Sequence, residues 1–183
     1  DNEFAFISRE HIEFFDKGLR PIHKQAQNIT WNAGAAEKEG FEDFMLKEIH
    51  EQSKSIRETI GSRIQENSLS SLPDLEMTKE YLDTINKVFI IACGTAMHAG
   101  FVGKTLIESL CNIPVEVEAA SEFRYRNPII NDKTLCLFIS QSGETADTIA
   151  ALKLAKSKGA RTVAVSNVIG SSISREADYT LYT

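Results

Sequence analysis

Three hydroxyl side chains, an amide, a carboxylate and a glycine occupy six consecutive positions, Ser140, Gln141, Ser142, Gly143, Glu144 and Thr145, and helical spacing follows directly. A loop of this composition opening a helix has the chemistry of an anion site. The first N–H groups of a helix lack intrahelical partners and carry a partial positive charge, so they can hold a phosphate monoester without Arg or Lys. Short hydroxyls then donate to the non-bridging oxygens, and Gly143 leaves room for a ligand to approach the backbone. Ser and Thr are also ordinary N-cap residues, but one cap needs only one of them. The loop offers more than a cap requires. A second turn, Cys93-Gly94-Thr95, follows another apolar run. It reads either as a plain tight turn or as the second wall of the same pocket.

The other chemistry-bearing residues form no constellation. Cys93 ends an apolar run with no basic partner assigned beside it, which favours a small packed residue over a nucleophile. Cys93, Cys111 and Cys136 show no C-x-x-C spacing and no flanking His pair, so neither a metal site nor a disulfide framework is expected, and a reducing cytoplasm fits. His98 begins a helical stretch and reads as a packing or surface residue, while His11, His23 and His50 are scattered. Twenty Lys and Arg against 26 Asp and Glu give a formal charge of -6, the wrong sign for a surface that tracks a nucleic-acid backbone. The longest apolar runs, such as Val88 to Cys93, fall far short of the roughly 20 residues of a membrane helix. No secretory signal is visible.

The elements that must position these loops alternate regularly. Residues 88–92, 113–117, 135–139, 162–165 and 179–182 are strand-length and mostly aliphatic. Helical patterns lie between them, one carrying Val102, Leu106 and Leu110, another Ala146, Ile149, Leu152 and Ala155. The fold class is therefore α/β, a doubly wound five-stranded parallel sheet between helices. Ligands bind such sheets beyond the carboxyl ends of the strands, and in the order 2-1-3-4-5 the first and third strands flank the switch point. That places the Gly94-Thr95 turn beside the 140–145 loop. The Asn167 to Ser172 loop follows the fourth strand at the same end.

The N-terminal part is organised differently. Phe4 to Ile7 and Ile12 to Phe15 alternate like strands, an Asp16-Lys17-Gly18 turn follows, and Ile22 to Gln27 suggests a third strand. Strands this short cannot bury a core alone. Trp31 to Gly40 is rich in small residues and reads as a linker. From Phe41, the apolar residues Met45, Ile49, Ile56 and Ile60 recur at helical spacing up to Gly61, a helix of about five turns. Ser68 to Pro73 interrupts it, and Leu75, Leu82 and Ile85 suggest a second helix. Both are expected to pack against the domain that follows. The first residue is Asp1 rather than Met, which points to an excised piece of a longer chain.

Cys93-Gly94-Thr95, the run Ser140 to Thr148, Asn167 with Gly170-Ser171-Ser172, and Ala177-Asp178 resemble the SIS (sugar isomerase) domain, which recognises phosphosugars. Two further segments, Glu118 to Tyr125 and Phe44 to Gln52, resemble the glucosamine-6-phosphate synthase family of glutamine-dependent amidotransferases. This resemblance implies that residues 1–32 are the end of a glutaminase domain, 33–40 a linker, and 41–183 the first SIS domain with its leading helices. It implies a cytoplasmic homodimer that uses no metal or redox cofactor and converts fructose 6-phosphate and glutamine to glucosamine 6-phosphate and glutamate. Thr95, Ser140, Gln141, Ser142, Gly143, Glu144 and Thr145 match the family's phosphosugar-binding positions, and Cys93 and Gly94 the pocket floor. Ala96 replaces a Ser common in the family, so one hydroxyl contact is expected to be missing. The family's catalytic groups match no residue here: the glutaminase Cys and the Glu, Lys and His of a second SIS domain lie outside this stretch. The expectation is a binding half-site, inactive by itself.

Two other functions compete with this one. A regulatory SIS module would sense a phosphosugar and control a partner, and a free-standing SIS isomerase would leave the N-terminal strands unexplained. A DNA-binding regulator would need a basic helix-turn-helix, and the acidic balance offers none.

Overall fold

The computed structural model describes residues 3–25, 37–61, 63–65, 68–69, 75 and 77–183. The expected domain boundary at residue 32, positions 31–36 of the linker, and the end of the strand expected through Gln27 lie outside the described residues. The chain divides into two compact units, Asp1–Gln52 and Ser53–Thr183.

In the first unit β1 (Glu3–Ile7), β2 (Ile12–Asp16) and β3 (Pro21–Ile22) form an antiparallel sheet in which Phe4 pairs with Phe15 and Phe14 with Ile22. The β2–β3 turn is built on Asp16, whose carboxylate accepts the N–H groups of Gly18 at 2.7 Å and Arg20 at 3.0 Å. Phe4, Phe6, Ile7 and Ile12 are exposed, and three strands this short cannot bury a core alone. The helix expected from Phe41 is α1, Phe44–Gly61, which runs on into the second unit. It starts later because the Asp43 carboxylate accepts the Leu46 N–H at 2.7 Å and so takes the N-cap role.

In the second unit β4 (Ile64–Gln65) pairs with β5 (Ser68–Leu69), and α2 is a single turn, Lys79–Leu82, capped by the Thr78 hydroxyl on the Tyr81 N–H. The expected second helix is therefore much shorter, with Ile85 delivered to the core beyond it. Then β6 (Lys87–Ala92), α3 (Ala96–Cys111), β7 (Val115–Ala119), α4 (Ala120–Tyr125), β8 (Thr134–Ile139), α5 (Ala146–Ser157), β9 (Arg161–Ser166), α6 (Ser172–Glu176) and β10 (Tyr179–Tyr182) alternate. All strand pairs in this sheet are parallel, and the order is β10-β9-β8-β6-β7. Counted from β6, that is the expected 2-1-3-4-5 arrangement with its switch point between β6 and β8. The second strand begins at Val115 rather than Ile113, because Pro114 has no N–H to donate and contributes only its carbonyl, which accepts from Val88 at 3.0 Å.

Successive side chains of β6 serve opposite faces. Phe89 and Ile91 join Phe123, Phe138, Leu152 and Ile173 in the larger core, where Phe89 and Phe138 meet Phe123 edge-on. Val88 and Ile90 join Ile85 and Val115 in the smaller one, with Tyr81, Ile107 and Val117 against it. Helix α3 reaches this second face through glycines: a Cβ on Gly100 would lie 2.9 Å from Ile90 Cγ2 and 3.1 Å from Val117 Cγ1. Its apolar stripe, Phe101, Val102, Leu106 and Leu110, is turned outward and exposed. In the second half of α1, Ile56 and Ile60 are exposed.

Candidate functional site

The loops after β6, β8 and β9 meet at the carboxyl ends of those strands. After β8 the backbone stays tied to β9: the Ser140 N–H donates to the Val165 carbonyl at 3.0 Å, and the Asn167 N–H to the Gln141 carbonyl at 3.1 Å. Ser140 is buried, and its hydroxyl oxygen accepts the Gly143 N–H at 3.2 Å and lies 3.4 Å from the Thr145 hydroxyl. This closes a tight turn in which Gly143 takes a left-handed φ of 67°. Ser142 and Gln141 are exposed, and the Ser142 hydroxyl accepts the Glu144 N–H at 3.3 Å.

Thr145 stands at the N-cap of α5 with extended backbone but makes no side-chain cap bond. A twelve-residue helix thus starts without the cap that would ordinarily occupy its leading amides. No Lys or Arg lies within residues 140–145, so what the loop itself offers an anion is amides and hydroxyls. The one acidic residue of the first turn, Asp147, pairs with Arg124 at 3.4 Å.

The β6 loop is joined to this helix start by a contact that the sequence did not suggest: the Thr148 hydroxyl donates to Cys93 Sγ at 3.6 Å. Cys93 is half-buried between the two loops. Gly94 turns the chain with φ 57° and faces open space, and Thr95 leads into α3, again without a side-chain cap bond. Thr95 is exposed, Ala96 is half-buried, and His98 is exposed on the first turn of α3.

The third loop acts on the second. Ser171, buried at the start of α6, sits where a Gly143 side chain would be, its hydroxyl oxygen 2.2 Å from the ideal Cβ position. The space left by the missing side chain of Gly143 thus serves the approach of α6 rather than the expected approach of a ligand. The Ile173 N–H donates to the Gly143 carbonyl at 3.0 Å, and the Ser172 N–H to Glu144 Oε1 at 2.7 Å. Hydrogen bonding from Ser172, with the charge of Arg175 nearby, holds the Glu144 carboxyl below its usual range. Arg175 itself binds Ser172 Oγ at 3.1 Å and the Gly170 carbonyl. The dense serines of Gly170-Ser171-Ser172 were a signal, but nothing local said which loop they would hold. A cavity of about 360 Å³, bordered by Glu58, Arg63, Asn167 and Tyr182, adjoins the β9 loop; Arg63 donates to the Tyr182 carbonyl there at 2.8 Å.

The family model described as SIS domain matches residues 81–183. Over all 183 residues the chain is 58% identical to glutamine–fructose-6-phosphate aminotransferase (isomerizing) of Clostridium tetani, and 44% identical over 184 aligned positions to the protein of that name from Methanosarcina acetivorans. The chain spans about 30% of the length of these curated relatives. Among solved structures, the C-terminal domain of glucosamine-fructose-6-phosphate aminotransferase from Francisella tularensis superposes with a TM-score of 0.74 at 38% identity, covering 80% of this chain and 42% of that one. Glucosamine-6-phosphate deaminase from Thermotoga maritima shares the fold at 19% identity, with a TM-score of 0.59 over 75% of this chain and 39% of that one. Since the matched residues hold the whole parallel sheet and all three of its converging loops, the chain belongs to the SIS domain family.

Proposed function

We propose that this chain grips the phosphate of fructose 6-phosphate or glucosamine 6-phosphate. It would do so as part of an enzyme that converts fructose 6-phosphate and glutamine to glucosamine 6-phosphate and glutamate. The observation that carries the reading is the start of α5: a long helix without a side-chain cap, rimmed by the hydroxyls of Ser140, Ser142 and Thr145. Backbone N–H groups and short hydroxyls are suited to a phosphate monoester. Gln141 and Thr95 border the sugar, while Cys93 and Gly94 form the floor. The similarity to aminotransferases along the full chain supports this enzyme reading over the regulatory module.

In the same reading residues 1–32 belong to a glutaminase domain, 33–40 to a linker, and 41–183 to a first SIS domain. The acid–base groups of the isomerisation lie outside the loops described. The protein works in the cytoplasm as a homodimer, and three cysteines without a disulfide suit that compartment. No described helix is long and apolar enough to cross a membrane. Calorimetric titration tests the function: fructose 6-phosphate should bind saturably and fructose should not. Equal binding of the two sugars would remove the phosphate from the account.

A further inference from the structure

Glu144 is the one anionic group in a loop otherwise made to receive an anion. An ionised carboxylate only accepts hydrogen bonds, so it can offer a phosphate nothing but repulsion at short range. Its position is explained by what it does accept. Ser171, the N-cap of α6, makes no side-chain cap bond and is packed against Gly143. The amide of Ser172, the first residue of α6, has no acceptor within the helix, and Glu144 Oε1 supplies one at 2.7 Å. Beside that bond the Ile173 N–H meets the Gly143 carbonyl at 3.0 Å. Two adjacent bonds thus hold residues 143 and 144 against 172 and 173.

We propose that Glu144, which the family resemblance counts among the phosphosugar-binding positions, is instead a positioning residue, clamping the 140–145 loop to the start of α6 so that the hydroxyls and amides are already arranged for phosphate, without itself touching the ligand. This rests on the phosphosugar reading above. A loop fixed before binding loses little freedom on binding, which is how such a clamp contributes to affinity.

The test uses the full chain, its Glu144→Gln and Glu144→Ala variants, fructose 6-phosphate titrations, and amide resonances. Gln keeps an oxygen acceptor, so Glu144→Gln should stay within about threefold of the original affinity, whereas Glu144→Ala should weaken it roughly tenfold. In the original chain the Ser172 amide resonance should follow protonation of the carboxylate on acidification, and Glu144→Ala should speed hydrogen exchange at Ser172 and Ile173. Equal loss in both variants, unchanged affinity in Glu144→Ala, or a Ser172 amide indifferent to the carboxylate would each overturn the proposal. Absence of fructose 6-phosphate binding by the original chain would instead remove the functional reading, with the Ser172 amide still deciding whether the clamp exists.

Discussion

Ser171 fills the volume a side chain on Gly143 would need: its hydroxyl oxygen lies 2.2 Å and its Cβ 2.5 Å from the ideal Cβ position. The contact makes the turn after β8 and the start of α6 one packed unit. Gly143→Ala meets two obstacles, the left-handed φ of 67° and the overlap with Ser171. A loss of stability on the order of 2–4 kcal/mol is expected, with weakened phosphosugar binding, measurable by urea unfolding and titration. Adding Ser171→Gly should recover the steric part and leave the backbone part.

Ser142 accepts a hydrogen bond from the Glu144 N–H, so its own hydroxyl proton is available to donate. A lost hydrogen bond to a charged group costs about 1.5–3 kcal/mol. Ser142→Ala should therefore raise the dissociation constant for fructose 6-phosphate roughly ten- to a hundredfold, with an unchanged urea midpoint. Unchanged affinity would take Ser142 out of the site.

The three thiols should label in a fixed order. Cys111 is exposed, Cys93 half-buried and Cys136 fully buried. Burial pushes the Cys136 thiol up to about 12, so almost no thiolate exists there at neutral pH. Mass spectrometry after alkylation should find Cys111 modified first, Cys93 more slowly and less so with fructose 6-phosphate present, and Cys136 only on unfolding. Labelling of Cys136 in the folded chain would contradict the packing of the larger core.

Asp178 fixes β10 to β9. Its carboxylate accepts the Thr162 N–H and hydroxyl, both at 2.9 Å, and its own N–H donates to Thr162 Oγ1 at 3.0 Å. Burial works to raise this carboxyl, but the Thr162 and Lys156 hydrogen bonds outweigh it and hold it below its ordinary value. A carboxyl depressed on folding adds stability above its unfolded value, near pH 4, and that stability is lost as pH falls through the folded value. Asp178→Asn should lower the urea midpoint at pH 6 and show a shallower decline below pH 4. Parallel curves would rule out this linkage.

Much of this was legible in the sequence because β-strands buried on both faces are continuous apolar runs, so the five strands and the switch point followed from residues 88–182. The 140–145 loop announced itself by composition. What stayed hidden depended on partners far along the chain. Gly143 looked like room for a ligand because Ser171, which takes that room, is 28 positions on. Thr148 gave no sign of meeting Cys93. In α3 the apolar residues Val102, Leu106 and Leu110 draw the eye, yet the face turned to the sheet is Gly100, Gly103 and Ile107, since close approach needs small residues and glycines carry no hydrophobic signal. Helix α4 was missed because its turn and a half over Ala120–Tyr125 is too short to show a period.

The most direct measurement is a crystal structure of the chain soaked with fructose 6-phosphate. The account predicts the phosphate at the start of α5, its oxygens within hydrogen-bond distance of the Ser142 and Thr145 hydroxyls and of loop amides, with the Glu144 carboxylate still on the Ser172 N–H. A phosphate bound anywhere else, or one reached only after Glu144 leaves Ser172, would contradict it.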